Sequence, residues 1–98
     1  MRDTREDLQE FLKALASETR QRILLLFVDG QERTVNQVAE EAGIGQSTAS
    51  EHLSVLKRGG LMKANRSGKE VYYRPDRERV LHLLRSLTDI ISHCCPPE

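Results

Sequence analysis

Two short amphipathic segments on either side of a glycine-flanked turn, Gly43-Ile44-Gly45, constrain the fold of this chain more than any other feature. Thr34, followed three residues later by Gln37, is the pattern of a capping box, and it predicts a helix that runs through Ala42. From about Gln46 to Arg58, apolar residues recur at helical spacing while serine-rich polar residues occupy the opposite face. A helix, a tight turn and a second helix are therefore expected between residues 34 and 58.

Two further helices are predicted before this pair. The segment from Thr4 to Ala16 carries apolar residues at helical spacing with charged residues elsewhere. Ser17 is a good N-cap for a second helix, which we expect to end at Asp29-Gly30 because glycine readily takes the left-handed conformation after a helix.

After residue 58 the periodicity changes to that of two short strands, from about Leu61 to Asn65 and from Glu70 to Arg74. Between them, Arg66-Ser67-Gly68-Lys69 predicts a hairpin turn in which glycine can take a positive φ. From Asp76 onward a broad apolar stripe predicts a last helix that ends before Pro96-Pro97. The predicted fold class is mainly α with a small β-hairpin wing, a winged helix-turn-helix in the order α-α-α-α-β-β-α, in a single domain over residues 1–98.

Length and composition exclude several classes of protein. The chain has 98 residues, the size of one domain. Its longest apolar run, Ile23 to Val28, is far shorter than a membrane span, and the charged N-terminus does not resemble a signal peptide. Two adjacent cysteines do not make a disulfide framework, so we expect a cytoplasmic protein. No nucleophile, base and acid are expected on one surface, which argues against an enzyme.

The net charge of zero hides a strong asymmetry along the chain. Residues 46–77 carry seven basic and three acidic side chains, a net charge of +4, whereas residues 1–45 carry six basic and nine acidic ones. The basic third contains the second helix of the pair and the hairpin. Short polar side chains on that helix suit close approach to base edges, and the basic hairpin can reach phosphates, so the pattern indicates DNA binding. The alternative is a winged helix used only for protein contacts.

Residues 43–62, GIGQSTASEHLSVLKRGGLM, resemble the signature of the ArsR/SmtB family of winged-helix repressors. The stretch Leu15-Ala16-x-x-x-Arg20-x-x-Ile23-Leu24 is similar to the start of that family's second helix, and Gly68-Lys69-x-Val71-Tyr72-Tyr73 is similar to its wing. The resemblance implies a repressor that binds palindromic double-stranded operator DNA. It also implies a homodimer through the first and last helices. We expect no membrane partner and no organic cofactor. The candidate DNA-binding residues are Gln46, Ser47, Thr48, Ser50, His52, Lys57, Arg58, Arg66 and Lys69.

Members of this family usually sense a metal or metalloid. The cysteine pattern of the arsenic-type site on the third helix is absent here, because Thr34, Asn36, Gln37 and Val38 occupy those places. The zinc-type site of the last helix is half present, since His82 and His93 have the matching separation but Val80 and Pro96 replace the other ligands. These two histidines are therefore the weaker metal-ligand candidates, and ordinary surface or interface histidines are the alternative.

The stronger candidates for an inducer site are the adjacent thiols Cys94 and Cys95. Two neighbouring thiolates can bind one soft ion, as trivalent arsenic or antimony requires. Such sites generally use three sulfurs, so a third donor would come from the other subunit, a small thiol or water. We therefore expect As(III) or another soft thiophilic metal(loid) as the inducer, with thiol-redox or persulfide sensing at the same cysteines as the alternative.

Overall fold

The structure is a computed structural model that describes residues 4–94. Within that range the chain forms five α-helices and one antiparallel hairpin, which confirms the predicted winged helix-turn-helix. The elements in chain order are α1 (Thr4–Leu15), α2 (Glu18–Leu26), α3 (Val35–Ala42), α4 (Gln46–Arg58), β1 (Met62–Ser67), β2 (Glu70–Pro75) and α5 (Arg77–Cys94). None of the helices in residues 4–94 is both long enough and apolar enough to cross a membrane.

The helix starts follow the capping signals of the sequence. Ser17 Oγ accepts a hydrogen bond from the Arg20 backbone N–H at 3.2 Å. The predicted capping box is complete: Thr34 Oγ1 accepts from the Gln37 N–H at 3.3 Å, and Gln37 Oε1 accepts from the Thr34 N–H at 2.8 Å. Asp76 caps α5 by accepting from the Arg79 N–H at 3.2 Å.

The end of the second helix differs from the prediction. The α-helix ends at Leu26, and Phe27–Asp29 forms a 3₁₀ turn instead of continuing the helix to Asp29. The backbone N–H of Gly30 bonds to the Phe27 carbonyl at 3.1 Å, and Gly30 has a φ of 79°. A tightened last turn of this kind satisfies carbonyl groups that would otherwise be left without a partner at the helix end.

The hairpin turn is shorter than the sequence predicted. Ser67 pairs with Glu70 and Arg66 with Val71, so the loop contains only Gly68 and Lys69, and Arg66 lies in β1. Gly68 has a φ of 63°, and no non-glycine residue in the described range has a positive φ. Glycine at the first position of a two-residue loop matches the twist of the strands, so pairing continues right up to the loop. The prediction of a four-residue turn from Arg66 to Lys69 was therefore wrong.

The core lies where α4 crosses the other elements. Ala49, Leu53 and Leu56 of α4 are fully buried, and α4 packs against α1, α2, α3 and β1. The remaining buried hydrophobic residues are Leu8, Phe11, Ala14, Ile23, Phe27, Val38, Ala39, Leu61, Met62 and Leu83. The helix expected to approach DNA is thus also the helix around which the hydrophobic core forms.

A buried arginine, Arg33, connects the 3₁₀ turn after α2, helix α3 and the distant strand β2. Its guanidinium makes bidentate pairs with Asp29 (2.7 and 2.9 Å) and with Glu41 in α3 (2.8 and 3.2 Å), and it lies 5.4 Å from the centre of the Phe27 ring. Its backbone exchanges two hydrogen bonds with Tyr73 of β2, at 2.7 and 3.0 Å. Arg33 therefore fixes the base of the hairpin relative to α3 and to the end of α2.

The ionisation of Asp29 follows from this arrangement. The hydrogen bonds from Arg33 and, secondarily, from the Gln31 backbone N–H lower the pKa of Asp29 from 3.8 to about 2. The same pairing raises the pKa of Arg33 above its ordinary value. Because the folded pKa of Asp29 is depressed, the ion pair stabilises the fold above the unfolded pKa near 4 and loses that effect as the pH falls towards 2.

We predict that Asp29→Asn lowers the melting temperature at neutral pH and that this difference shrinks between pH 4 and pH 2. The reason is that wild-type Asp29 becomes protonated over this range and then resembles asparagine in charge. Thermal denaturation of both proteins, followed by circular dichroism at intervals of half a pH unit, measures the difference. A difference that stays constant from pH 6 to pH 2 would contradict the ion pair with Arg33.

Candidate nucleic-acid interface

The outer face of α4 is a continuous polar surface. Ala49, Leu53 and Leu56 hold the inner face of this helix in the core, so the residues on the opposite side of the helix point outward. One stripe along the outer face consists of four exposed residues, Ser47, Glu51, Ser54 and Arg58. Their spacing of four, three and four positions places them on the same side of the helix. Four predicted DNA contacts on α4 outside this stripe are also exposed: Gln46, Thr48, Ser50 and Lys57. The structure thus places eight neighbouring polar side chains where a nucleic acid could contact them.

The turn between α3 and α4 sets the position of this face. Gly43 ends α3 in the left-handed conformation, with a φ of 68°. The Ile44 N–H then bonds to the Ala39 carbonyl at 3.0 Å, which directs the chain into α4. Gly45 is the N-cap of α4 and supplies no side-chain hydrogen bond, so the first-turn N–H groups of α4 have no side-chain cap. N–H groups at a helix N-terminus are a favourable contact for a phosphate oxygen.

A cleft lies between the start of α3 and the outer face of α4. Its volume is about 480 Å³, and it is lined by Val35, Gln46, Ser47, Ser50 and Glu51. The lining is mostly polar and comes from the first half of α4. In helix-turn-helix proteins, this half of the second helix contacts base edges in the major groove.

His52, one of the candidate DNA contacts, lies at the edge of this surface. It is half-buried, and its Nδ1 lies 3.3 Å from an Nη atom of Arg20 in α2. Because a guanidinium can only donate, Nδ1 is the acceptor in this hydrogen bond. Arg20 also donates to the carbonyls of Ala14 (2.8 Å) and Lys13 (3.1 Å) at the end of α1. His52 therefore connects α4 to the junction of α1 and α2.

The wing displays basic side chains on both of its faces. Arg66 and Lys69 are exposed, and Arg66 lies on the face of β1 that also carries the buried Met62. On the opposite face, Lys63 pairs directly with Arg74, and both side chains are exposed. Like charges at directly opposed strand positions repel each other, and a bound phosphate would relieve that repulsion. Lys63 and Arg74 contribute to the local charge in the sequence, but their pairing cannot be predicted there because it depends on the strand register.

The candidate inducer residues lie along α5 and at its end. His82 and His93 are exposed, and His93 Nδ1 lies 2.7 Å from the Asp89 carbonyl. Cys94 is exposed, with Sγ 3.6 Å from the Ile91 carbonyl, whereas Cys95 lies outside the described residues. Between residues 4 and 94 no group of three histidine, cysteine or carboxylate side chains is close enough to hold a metal ion. A complete site would need donors from outside that range or from a second chain.

Residues 15–63 match a family model described as a helix-turn-helix domain. The match begins at the end of α1 and extends to the start of β1, so it includes α2, the α3–turn–α4 unit and the buried turn after α4. It therefore contains the whole outer face of α4.

Two curated relatives are repressors. The chain is 31% identical over 94 residues to the biofilm growth-associated repressor of Xylella fastidiosa, a match that covers 89% of this chain and 82% of the relative. It is 33% identical over 84 residues to the transcriptional repressor SmtB of Mycobacterium tuberculosis, covering 86% of this chain and 59% of SmtB. The chain spans only 31% of the length of another M. tuberculosis regulator that it matches, Rv0324.

A solved structure shares both the fold and part of the sequence. It is the homodimeric winged helix-turn-helix DNA-binding domain of Mb0332 from Mycobacterium bovis, described as a possible ArsR-family transcriptional regulator. The sequences are 32% identical and the TM-score is 0.71, with 90% of this chain and 82% of that chain covered. A match that covers 90% of this chain is not confined to the helix-turn-helix unit.

Proposed function

Because the chain belongs to the ArsR/SmtB family of winged helix-turn-helix transcriptional repressors, we propose that it binds operator DNA as a homodimer and releases it when an inducer binds near the end of α5. The observation that most strongly supports DNA binding is the exposed polar face of α4 beside a basic wing. The relatives are transcriptional regulators and not enzymes, which agrees with this assignment.

The proposed dimer explains apolar surface that one chain leaves exposed. Leu84, Ile90 and Ile91 of α5 are 43, 46 and 54% exposed, and Leu12 of α1 is 44% exposed. Exposed apolar side chains that recur along two packed helices favour an interface with another chain. An isologous interface through α1 and α5 would cover them and place two copies of α4 on a two-fold symmetric operator, for which a palindrome is the matching sequence.

The proposed inducer is a soft metal or metalloid, with As(III) or Sb(III) as the first choice, bound by Cys94 and Cys95. Regulators of this family usually sense a metal or metalloid, and the adjacent thiols are soft donors that could bind one in this chain. Each chain has only two sulfurs from cysteine, so the third donor would come from the other subunit, a small thiol or water. Thiol oxidation or persulfide formation at the same pair is the alternative chemistry, and zinc at His82 and His93 is the weaker metal site.

The mechanism we propose couples the end of α5 to α4 through the dimer. Ligands at residues 94 and 95 would join or reorient the ends of the two α5 helices, because these helices also carry the apolar surface that we assign to the interface. A change in the angle between subunits alters the spacing of the two α4 helices and thereby the affinity for a palindrome. A coupling free energy of about 1–3 kcal/mol changes that affinity by roughly 5- to 150-fold.

We predict that Ile91→Glu converts the protein from dimer to monomer. A buried carboxylate without a partner is costly at an interface, so the dimer dissociation constant should rise more than about tenfold. Ile91 is exposed in the single chain, and the variant should therefore fold normally. The matched control is Leu25→Glu on α2, because Leu25 is 63% exposed but lies on neither α1 nor α5. Sedimentation equilibrium of the three proteins measures the effect, and equal dissociation constants would contradict the proposed interface.

We predict that DNA binding weakens steeply with salt and that Lys69→Gln reduces this dependence. Each phosphate contact contributes about −0.9 to the slope of the logarithm of the association constant against the logarithm of the salt concentration. Lys69→Gln removes one contact per subunit, so the slope for the dimer should become less negative by about two. Fluorescence anisotropy with a duplex selected from a random pool gives the slopes. Arg22→Gln on α2 is the charge-matched control and should leave the slope unchanged. If wild type selects no duplex, or binds independently of salt, the interaction-module alternative replaces the repressor.

We predict that arsenite releases wild-type protein from its duplex and that the double variant Cys94→Ser/Cys95→Ser does not respond. The variant has no thiol, since the chain contains only these two cysteines. Titrations with arsenite, zinc and hydrogen peroxide on both proteins separate the proposed chemistries. A peroxide response without an arsenite response would support the redox alternative. Release of the double variant at wild-type arsenite concentrations would overturn the thiol site.

A further inference from the structure

The carboxylate of Glu51 occupies the centre of the outer face of α4. It lies in the stripe with Ser47, Ser54 and Arg58, on the side of the helix opposite the buried Leu53 and Leu56. The neighbours of Glu51 along the stripe, Ser47 and Ser54, have short side chains that end at Oγ. Glu51 is therefore the side chain that projects furthest from the middle of this face.

Nothing in the described part of the chain neutralises this carboxylate. Glu51 is exposed and makes no ion pair or side-chain hydrogen bond within residues 4–94. It also lines the cleft formed with Val35, Gln46, Ser47 and Ser50. The segment around it, residues 46–77, has a net charge of +4, so a single acidic side chain in its exposed centre weakens general attraction to DNA.

The chemistry of the major groove leaves few partners for a carboxylate. An ionised carboxylate only accepts hydrogen bonds, whereas phosphate oxygens, guanine N7 and O6, and thymine O4 are all acceptors that repel it. The donors in the groove are the amines of cytosine and adenine. Adenine presents its N7 acceptor beside the amine, and this lone pair faces an approaching carboxylate. Cytosine presents a C–H at that place, so its N4 amine is the better partner.

We propose that Glu51 accepts a hydrogen bond from cytosine N4 and specifies a C·G pair in each half of the operator. This inference rests on the proposed function, because it assigns a base to the same α4 face. The short serines on either side let the helix approach closely enough for a glutamate to reach a base edge. Glu51 then contributes discrimination between sequences, while the basic residues of α4 and the wing contribute affinity that does not depend on sequence.

The test uses the wild-type chain, Glu51→Gln and Glu51→Ala, each selecting duplexes from a random pool at one fixed salt concentration. Wild type should select a symmetric sequence with cytosine at one position of each half-site, and changing that pair to T·A should weaken binding roughly tenfold to a hundredfold. Glu51→Gln should change the selected base at that position to adenine, because glutamine pairs with adenine N6 and N7. Glu51→Ala should lose the preference there and bind unrelated duplexes more tightly than wild type.

The control is Glu78→Gln in the first turn of α5, which removes the same charge outside α3, α4 and the wing and should leave the selected sequence unchanged. Melting temperatures of the Glu51 variants should equal that of wild type, because the side chain has no partner in the described fold. If wild type selects a sequence and both Glu51 variants select the same one, the assignment of Glu51 is overturned while DNA binding stands. If wild type selects no sequence, the proposed function itself fails.

Discussion

The packing of the inner face of α4 is the constraint on which the rest of the structure depends. Ala49, Leu53 and Leu56 are fully buried, and four other elements pack around them. The end of α4 also packs closely against α1 at Gly59, where no larger residue fits. A Cβ at this position would lie 2.7 Å from Ala14 Cβ and 2.9 Å from the Glu10 carbonyl oxygen. Because the inner face is held so firmly, the outer face is presented to solvent in a fixed orientation. A surface that reads base edges needs that rigidity.

Local signals in the sequence account for most of the fold. The bounds of α4, the capping box of Thr34 and the left-handed glycines after α3 and at the hairpin depend on residues within a few positions of one another, and such features can be predicted from a single chain. The predictions failed where tertiary pairing decides between similar local options. The predicted hairpin loop was too long, because strand pairing continues to Ser67 and Glu70. The predicted second helix was also too long, because its last residues form a 3₁₀ turn.

The polar contacts that position the candidate site could not be predicted in the same way. Arg33 contacts Asp29, Glu41 and Tyr73. Arg20 contacts the end of α1 and also His52, which follows it by 32 positions in the sequence. In the sequence each arginine is one among several basic residues in a charged chain. Only the fold distinguishes these two, which stabilise the structure, from exposed Arg58 and Arg66, which are available to a nucleic acid. Both of these arginines lie outside residues 46–77, so the net charge of +4 in that segment does not depend on them.

A net charge of zero is compatible with DNA binding because affinity and specificity draw on different residues. Phosphate contacts raise affinity for every sequence, so a uniformly basic chain would bind throughout a genome and gain little discrimination. Here only the middle segment, residues 46–77, has a net positive charge, and the segments on either side of it are net acidic. Glu51 has the same effect at a single position, where it lowers affinity in general and increases specificity. A carboxylate at the centre of the outer face of α4 lowers binding to most sequences, and it improves recognition only where a base presents an amine. When the attraction to DNA of any sequence is weak, occupancy of the operator depends on contacts to both half-sites at once. A modest coupling free energy that changes the geometry of the dimer is then enough to release it.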